Sequence, residues 1–434
     1  MVVPSLSDGA TTSRTDEETW LRHPPSPVGF GGHEQRRNHG TRAEGNAVRK
    51  YVILAASVGI GVVLGGIYAW SEFVPSLRAA YGLTPTQTQV IYGVNVGSFT
   101  LALVLGGRLL GRLGPRPITA AGGVLFALGW LAASASGGDF WVLLASVGIV
   151  VAVGIALGYI CLLSTAVLWF PHRKGLVAGL TMAGFGSGAI LLAQAANYVL
   201  PRGVGVLTVF RWIGLIGGPL VVLSAMAIDR PRNLPPPAPA HLTRFRSLVR
   251  QRRFWSLVAG FAGATFAGQL VIGNLKSIAL WAGLDATWAA VPVSAFAAGS
   301  ASGRLAWGWL HDRLGRNVVP ASAALLGAAV AALWASGSPA AGFVAAAFAV
   351  GFCFGSNFVL YAAETARDYG PHAVATVYPC VFLCYVLSGT GGPVVGGWLY
   401  GLTGSYAPAL LSAAIAAAGG AAAHVLLRPP AHVV

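Results

Sequence analysis

From Tyr51 onward the chain is a succession of apolar runs of about 20 residues, separated by short connections that hold nearly all of its charge. No other feature limits the fold as sharply. About 20 apolar residues wound as helix cross the ~30 Å hydrocarbon of a bilayer, and backbone in lipid must satisfy its hydrogen bonds internally. The runs fall near 51–73, 88–110, 117–136, 140–169, 176–199, 207–228, 254–283, 288–310, 318–337, 340–361, 374–400 and 407–427. They are continuously apolar and rich in Ala, Leu and Gly, without the alternation of a barrel strand. The expected fold class is an all-α integral membrane protein with twelve transmembrane helices.

Composition agrees. Only 9% of the 434 residues are charged, against about 25% in a soluble chain, so lipid must cover much of the surface. The net charge of +15 is compatible with nucleic acid, an anionic membrane, or loops held on one side of a bilayer. Position decides among these. With the N-terminus inside, inner segments hold 23 of the 28 Lys and Arg. Outer connections hold four (Arg78, Arg202, Arg211, Lys276), and Arg304 lies within a span. This bias places both termini in the cytoplasm of a multi-pass protein of the cell membrane. It makes the lipid bilayer, not nucleic acid, the expected partner.

Residues 1–50 carry six acids and seven basic residues on a Pro/Gly/Ser/Thr background. That mixture cannot bury a core and reads as a disordered cytoplasmic tail. The apolar stretch after it is too long for the h-region of a secretory signal. Residues 229–253, basic and rich in Pro, read as a cytoplasmic linker between two six-helix halves, 51–228 and 254–428. Residues 429–434 form a short C-terminal tail. The halves share a pattern after their second span: Gly308, Asp312, Arg313, Gly315 and Arg316 in one, Gly107, Gly111, Arg112, Gly114 and Arg116 in the other. Paired glycines four apart (93/97, 154/158, 184/188, 299/303, 351/355) are positions where helix backbones can touch. Two parallel halves joined by a basic loop are a known transporter layout.

With these features the chain resembles the major facilitator superfamily, whose G-x-x-x-D-R-x-G-R loop matches the second copy. The resemblance implies a conformational latch in which Gly308, Asp312, Arg313, Arg316 and Arg112 take part. The first copy departs from the family at Gly111, where an acid is usual, so Asp312 is the better latch candidate. Further segments narrow the resemblance: Gly66, Tyr68, Trp70 and Ser71 in span 1; Gly158 and Tyr159 in span 4; Trp169, Phe170, Pro171, His172 and Arg173 after it; then Gly184, Phe185 and Gly186; Gly303 and Arg304 in span 8; and Tyr369 and Gly370 before span 11. Across 51–428 these are similar to the oxalate:formate antiporter branch, which is related to the monocarboxylate porters.

Arg304 carries the functional expectation. It lies ~12 Å of helix from the cytoplasmic Asp312, near mid-membrane, where an unpaired cation costs at least ~2.5–3.5 kcal/mol. A carboxylate gripped by the guanidinium fork is the expected counter-ion, and in the resembled family the span-8 arginine has that role. Oxalate-type members add a lysine in span 11. Here 374–400 holds neither Lys nor Arg, and Tyr385 falls at the lysine position, which points to a monocarboxylate. Tyr68, Tyr159, Tyr385, Trp70 and Tyr361 are candidates to line the site. Asn95, Gln269, Asn274 and Asn357 read as interhelical hydrogen-bonding residues, Lys276 as a cation snorkelling outward, Glu72 as the outer end of span 1, and Glu364 as a residue after span 10.

The expected function is secondary transport of a small organic monocarboxylate by a monomer, with anion exchange preferred because span centres lack a carboxylate or His. Proton symport, efflux of another metabolite or drug, and an organic-acid membrane sensor are the alternatives. No phosphate loop, metal-type His cluster or nucleophile elbow is present, so no cofactor, metal or enzyme activity is expected.

Overall fold

The computed structural model describes residues 32–170, 174–231, 245–336, 340–370 and 374–428. Most of the tail, the linker at 232–244, Pro171–Arg173 of the quoted loop and the 429–434 tail therefore lie outside the described residues. The chain divides into two units, 1–49 and 50–434. In the first, the described residues are helical from Gly32. The second is the membrane bundle.

The helices in order are α1 Gly32–Gly65, α2 Trp70–Tyr81, α3 Pro85–Leu113, α4 Pro115–Ser134, α5 Phe140–Leu143, α6 Ala152–Trp169, α7 Lys174–Val199, α8 Val206–Trp212, α9 Gly218–Ala227, α10 Phe245–Leu248, α11 Arg252–Trp281, α12 Val291–Leu314, α13 Val318–Ala335, α14 Ala340–Tyr369, α15 Val374–Phe382, α16 Tyr385–Thr403 and α17 Ala407–Leu427. A 3-10 turn, Gly66–Ala69, joins α1 to α2 within one crossing, and π-helical turns join α5 to α6 and α8 to α9. Among the described residues eleven continuous stretches are long and apolar enough to span a bilayer. One of them, Trp288–Ala335, runs 48 residues, far beyond the ~20 a single crossing needs. It reverses at Gly315, φ 70°, so α12 and α13 are separate crossings, which makes twelve among the described residues.

Helix boundaries overrun the apolar runs. α1 begins at Gly32 rather than at Tyr51, and α14 continues to Tyr369. Hydropathy marks where lipid begins, whereas a helix continues as long as its backbone bonds do. The turns after the second span of each half are made by Gly114 (φ 81°) and Gly315, where the left-handed backbone excludes a Cβ without strain. These two turns mark one end of the bundle. Gly82 and Gly404, each ending a helix in left-handed conformation, mark the other.

Duplication shows in the packing. The second span of the first half (α3) packs on span 11 (α16), and its counterpart in the second half, span 8 (α12), packs on span 5 (α7). Exchanging the halves interchanges the two contacts, as parallel repeats require. All five glycine pairs sit where helices meet. A Cβ at Gly303 would lie 2.0 Å from the Phe352 carbonyl oxygen, and one at Gly355 would lie 2.2 Å from that of Ser300. Gly303→Ala is therefore expected to push α12 off α14 and lower Tm, at roughly 1–3 kcal/mol of overpacking. Gly419→Ala, where a Cβ meets nothing within 4 Å, should instead gain up to ~1 kcal/mol of helix propensity. Thermal melts of the detergent-solubilised pair check the contrast.

Candidate functional site

Among the described residues two small cavities lie between the halves. The first is lined by Tyr68, Met182, Phe185 and Gly186 from one half and by Phe296, Ala297, Ser300, Ala301, Arg304 and Phe354 from the other. The second is lined by Tyr68, Tyr92, Asn95, Phe99, Phe185, Gln269 and Tyr385, with Ile67, Val96 and Ile155. Tyr68 and Phe185 border both.

Local sequence explains how the walls are held. Arg304 follows Gly303, whose bare backbone lets α12 lie against α14. Tyr68 sits in the 3-10 turn that interrupts span 1. Its neighbour Gly65 allows the backbone of α7 to approach so closely that a Cβ would meet the Phe185 carbonyl oxygen at 1.8 Å. Tyr385 opens α16, directly after the break at 383–384. Interrupted helices at membrane depth are tolerated where they border a cavity.

Arg304 is half-buried, its Cζ 5.4 Å from the centroid of the Phe358 ring, in range for a cation–π contact. It forms no ion pair with any described residue, and its Nε is buried without a hydrogen-bond partner. One cation, mostly apolar walls and a few hydroxyls suit a small anion with a hydrocarbon remainder.

The other expected site residues divide. Tyr68 and Tyr385 border cavities. Tyr159 stands behind the wall: its hydroxyl lies 3.4 Å from Met182 Sδ, and its ring packs edge-on to Phe99 and Phe185. Trp70 and Tyr361 are corrections. Trp70, 1% exposed, donates its indole N–H to the Thr88 carbonyl oxygen at 3.1 Å and packs on Phe73 and Phe210. Tyr361, fully buried, packs on Phe261 and His424. Both are core aromatics, because their helix faces turn into their own half.

The latch needs correction too. Asp312, Arg313 and Arg112 are exposed, and Arg313 lies over the Trp309 ring at 4.1 Å. The acids that meet this loop come from α14. Glu364, a fully buried residue inside the helix rather than after it, pairs with His311 at 3.0 Å, and Asp368 pairs with Arg316 at 3.9 Å. Arg253 adds a bond to the Asp368 carbonyl oxygen at 2.8 Å. Gly308 faces Val359, whose Cγ1 would sit 3.3 Å from an added Cβ.

Lys276 does not snorkel. Its Nζ bonds Glu72 Oε2 at 2.6 Å, with side-chain exposures of 10% and 0%, so a buried ion pair joins α2 to α11 and hence the two halves. Beside it Gln89 donates to the Gly273 carbonyl oxygen at 2.9 Å, and Tyr92 donates to Gln269 Oε1 at 3.1 Å. Gln269 in turn donates to the Tyr385 hydroxyl. Asn95, Gln269 and Asn274 make the expected contacts between helices, whereas Asn357 bonds within its own helix, to Phe354. Sequence reasoning missed Tyr92 and the Glu72–Lys276 pair. The available signal was two lone opposite charges that the topology puts at the same end.

Comparison with known proteins agrees with this architecture. The sequence model of the Major Facilitator Superfamily matches residues 56–390. An uncharacterized MFS-type transporter of Escherichia coli, YhjX, is 27% identical over 340 residues, covering 77% of this chain and 84% of that protein. The oxalate:formate antiporter of Oxalobacter formigenes is 28% identical, covering 74% and 79%. Human monocarboxylate transporter 11 is 30% identical, covering 83% and 79%. Among solved structures, a bacterial homolog to the human lysosomal transporter Spinster superposes with a TM-score of 0.66 at 18% identity, over 87% of this chain and 94% of that one. The chain is a multi-pass membrane transporter, not an enzyme, and it belongs to the major facilitator superfamily.

Proposed function

We propose that the chain is a secondary transporter that moves a small organic monocarboxylate across the cytoplasmic membrane by alternating access, working as a monomer with both termini in the cytoplasm and exchanging one anion for another. The observation that carries this reading is Arg304, a cation in an apolar cavity between the halves with no acidic partner among the described residues. Relatives named for oxalate:formate exchange, monocarboxylate transport and, in Toxoplasma gondii, pyruvate transport support the substrate class. Tyr68 would add a hydroxyl to the anion, and Tyr159 would hold Phe185 and Met182 in the wall. A single arginine balances a single negative charge. Tyr385 of span 11 borders the second cavity, and the resemblance puts it at the position where oxalate-type members carry a lysine, which supports a monoanion over a dianion.

Glu72 supports a second reading, proton symport, because it is a buried carboxylate shared between the halves. Counterflow into proteoliposomes separates the two. With formate, acetate, lactate, pyruvate and oxalate offered in turn, monoanions should exchange and oxalate should compete weakly. The rate should not follow an imposed proton gradient. Tight oxalate binding overturns the monocarboxylate reading, and gradient-driven uptake without an internal anion overturns exchange.

A further inference from the structure

Gln269, Gly273 and Lys276 are spaced four and three residues apart on α11, so they share one helix face. That face meets the first half at three successive points: Tyr92 on α3, Gln89 on α3 and Glu72 on α2. Together they form a seam that closes the end of the bundle marked by Gly82 and Gly404. Of the three, Gln269 also borders the second cavity. Its amide is used on both sides, with Oε1 accepting from Tyr92 of the opposite half and Nε2 donating to the Tyr385 hydroxyl of its own half. It is fully buried, so neither bond can be replaced by bulk water.

The chain of bonds has a direction. Tyr92 spends its proton on Gln269, and Gln269 spends one on the Tyr385 oxygen, which leaves the Tyr385 proton to point onward. Tyr68 shares the wall of the second cavity with Tyr385, and it alone of these four residues also lines the cavity of Arg304. Parting of the halves at the seam would break the Tyr92–Gln269 bond and free the amide to turn away from Tyr385. We propose that Gln269 is a positioning residue that ties closure of the Gly82/Gly404 end to the hold on the anion, acting through Tyr385 and Tyr68 on a ligand it does not itself touch. The inference rests on the reading of the Arg304 cavity as the carboxylate site.

The test uses the full chain in proteoliposomes, with spin labels at Ala80→Cys and Ala286→Cys on opposite halves and with lactate, acetate and pyruvate as probes. In the parent protein, anion is expected to narrow the distance between the labels. Gln269→Leu should raise KM for the transported anion roughly tenfold, the usual size for buried hydroxyls left unpartnered, and should abolish the narrowing. Tyr92→Phe, which loses one hydroxyl and little shape, should weaken both effects in the same direction. The paired change Glu72→Gln with Lys276→Met removes both charges of the seam without touching either cavity wall, so as a neutral replacement it should leave the label distances, their narrowing and KM near the parent values. An unchanged KM in Gln269→Leu, or a raised KM with the narrowing intact, overturns the coupling. A parent protein whose labels respond to none of the three anions overturns the carboxylate reading. Labels that then still lie farther apart in Gln269→Leu than in the parent support the closure half of the inference, and equal distances overturn that half as well.

Discussion

Arg304→Gln is expected to abolish carboxylate counterflow while leaving a folded, membrane-inserted protein. The guanidinium meets no acid among the described residues, so removing it strips no protein group of its counter-ion. The loss falls on the ligand. Truncating one partner of a buried charge pair costs ~2–5 kcal/mol, or from roughly 30-fold to beyond 1,000-fold in affinity. Arg304→Lys keeps the charge and loses the planar fork, so it should retain a small fraction of transport. Initial exchange rates over a range of anion concentrations, normalised to the amount of monodisperse protein, measure both. Transport by Arg304→Gln at the parent rate would remove the basis of the proposed site.

The second large effect is expected at the seam. Lys276→Met leaves Glu72 as a buried carboxylate without its cation, and breaking such a pair on one side typically costs 3–5 kcal/mol. The chain has two ways to answer: it loses stability, or it opens the Gly82/Gly404 end and hydrates the carboxylate. Both are readable, the first as a fall in Tm and the second as faster alkylation of a cysteine placed at Ser277, which is 7% exposed. The double change Glu72→Gln with Lys276→Met removes both charges and should recover most of the loss, because neutral replacements of buried pairs are often harmless. A single Lys276→Met protein with parent Tm and parent labelling rate would show that the pair does not hold the halves together.

Much of the molecule could be read before its structure. Twelve spans follow from the bilayer's thickness acting on local hydropathy, and the turn glycines Gly114 and Gly315 follow from a left-handed backbone that only glycine adopts freely. Arg304 stood out because one charge in a span is costly wherever the rest of the chain lies. Trp70 and Tyr361 lie in the core rather than on a cavity wall for a related reason. An aromatic side chain is equally at home in a core or a cavity wall, and sequence does not say which face of a helix turns toward the partner half.

The charged pairs lay beyond local reasoning. Glu72 and Lys276 stand 204 positions apart, and each by itself looks like a residue at the edge of a span. Paired, they become a bond between halves. The same holds for the loop after span 8, where Glu364 and Asp368 of α14, not Asp312, meet the basic side chains. Length, hydropathy and isolated charge are properties of a segment, so they pass directly from sequence to topology. Pairing depends on which faces of distant helices the packing of small residues brings together, and the amino-acid order around Glu72 or Gln269 does not say which partner each will meet until the bundle has closed.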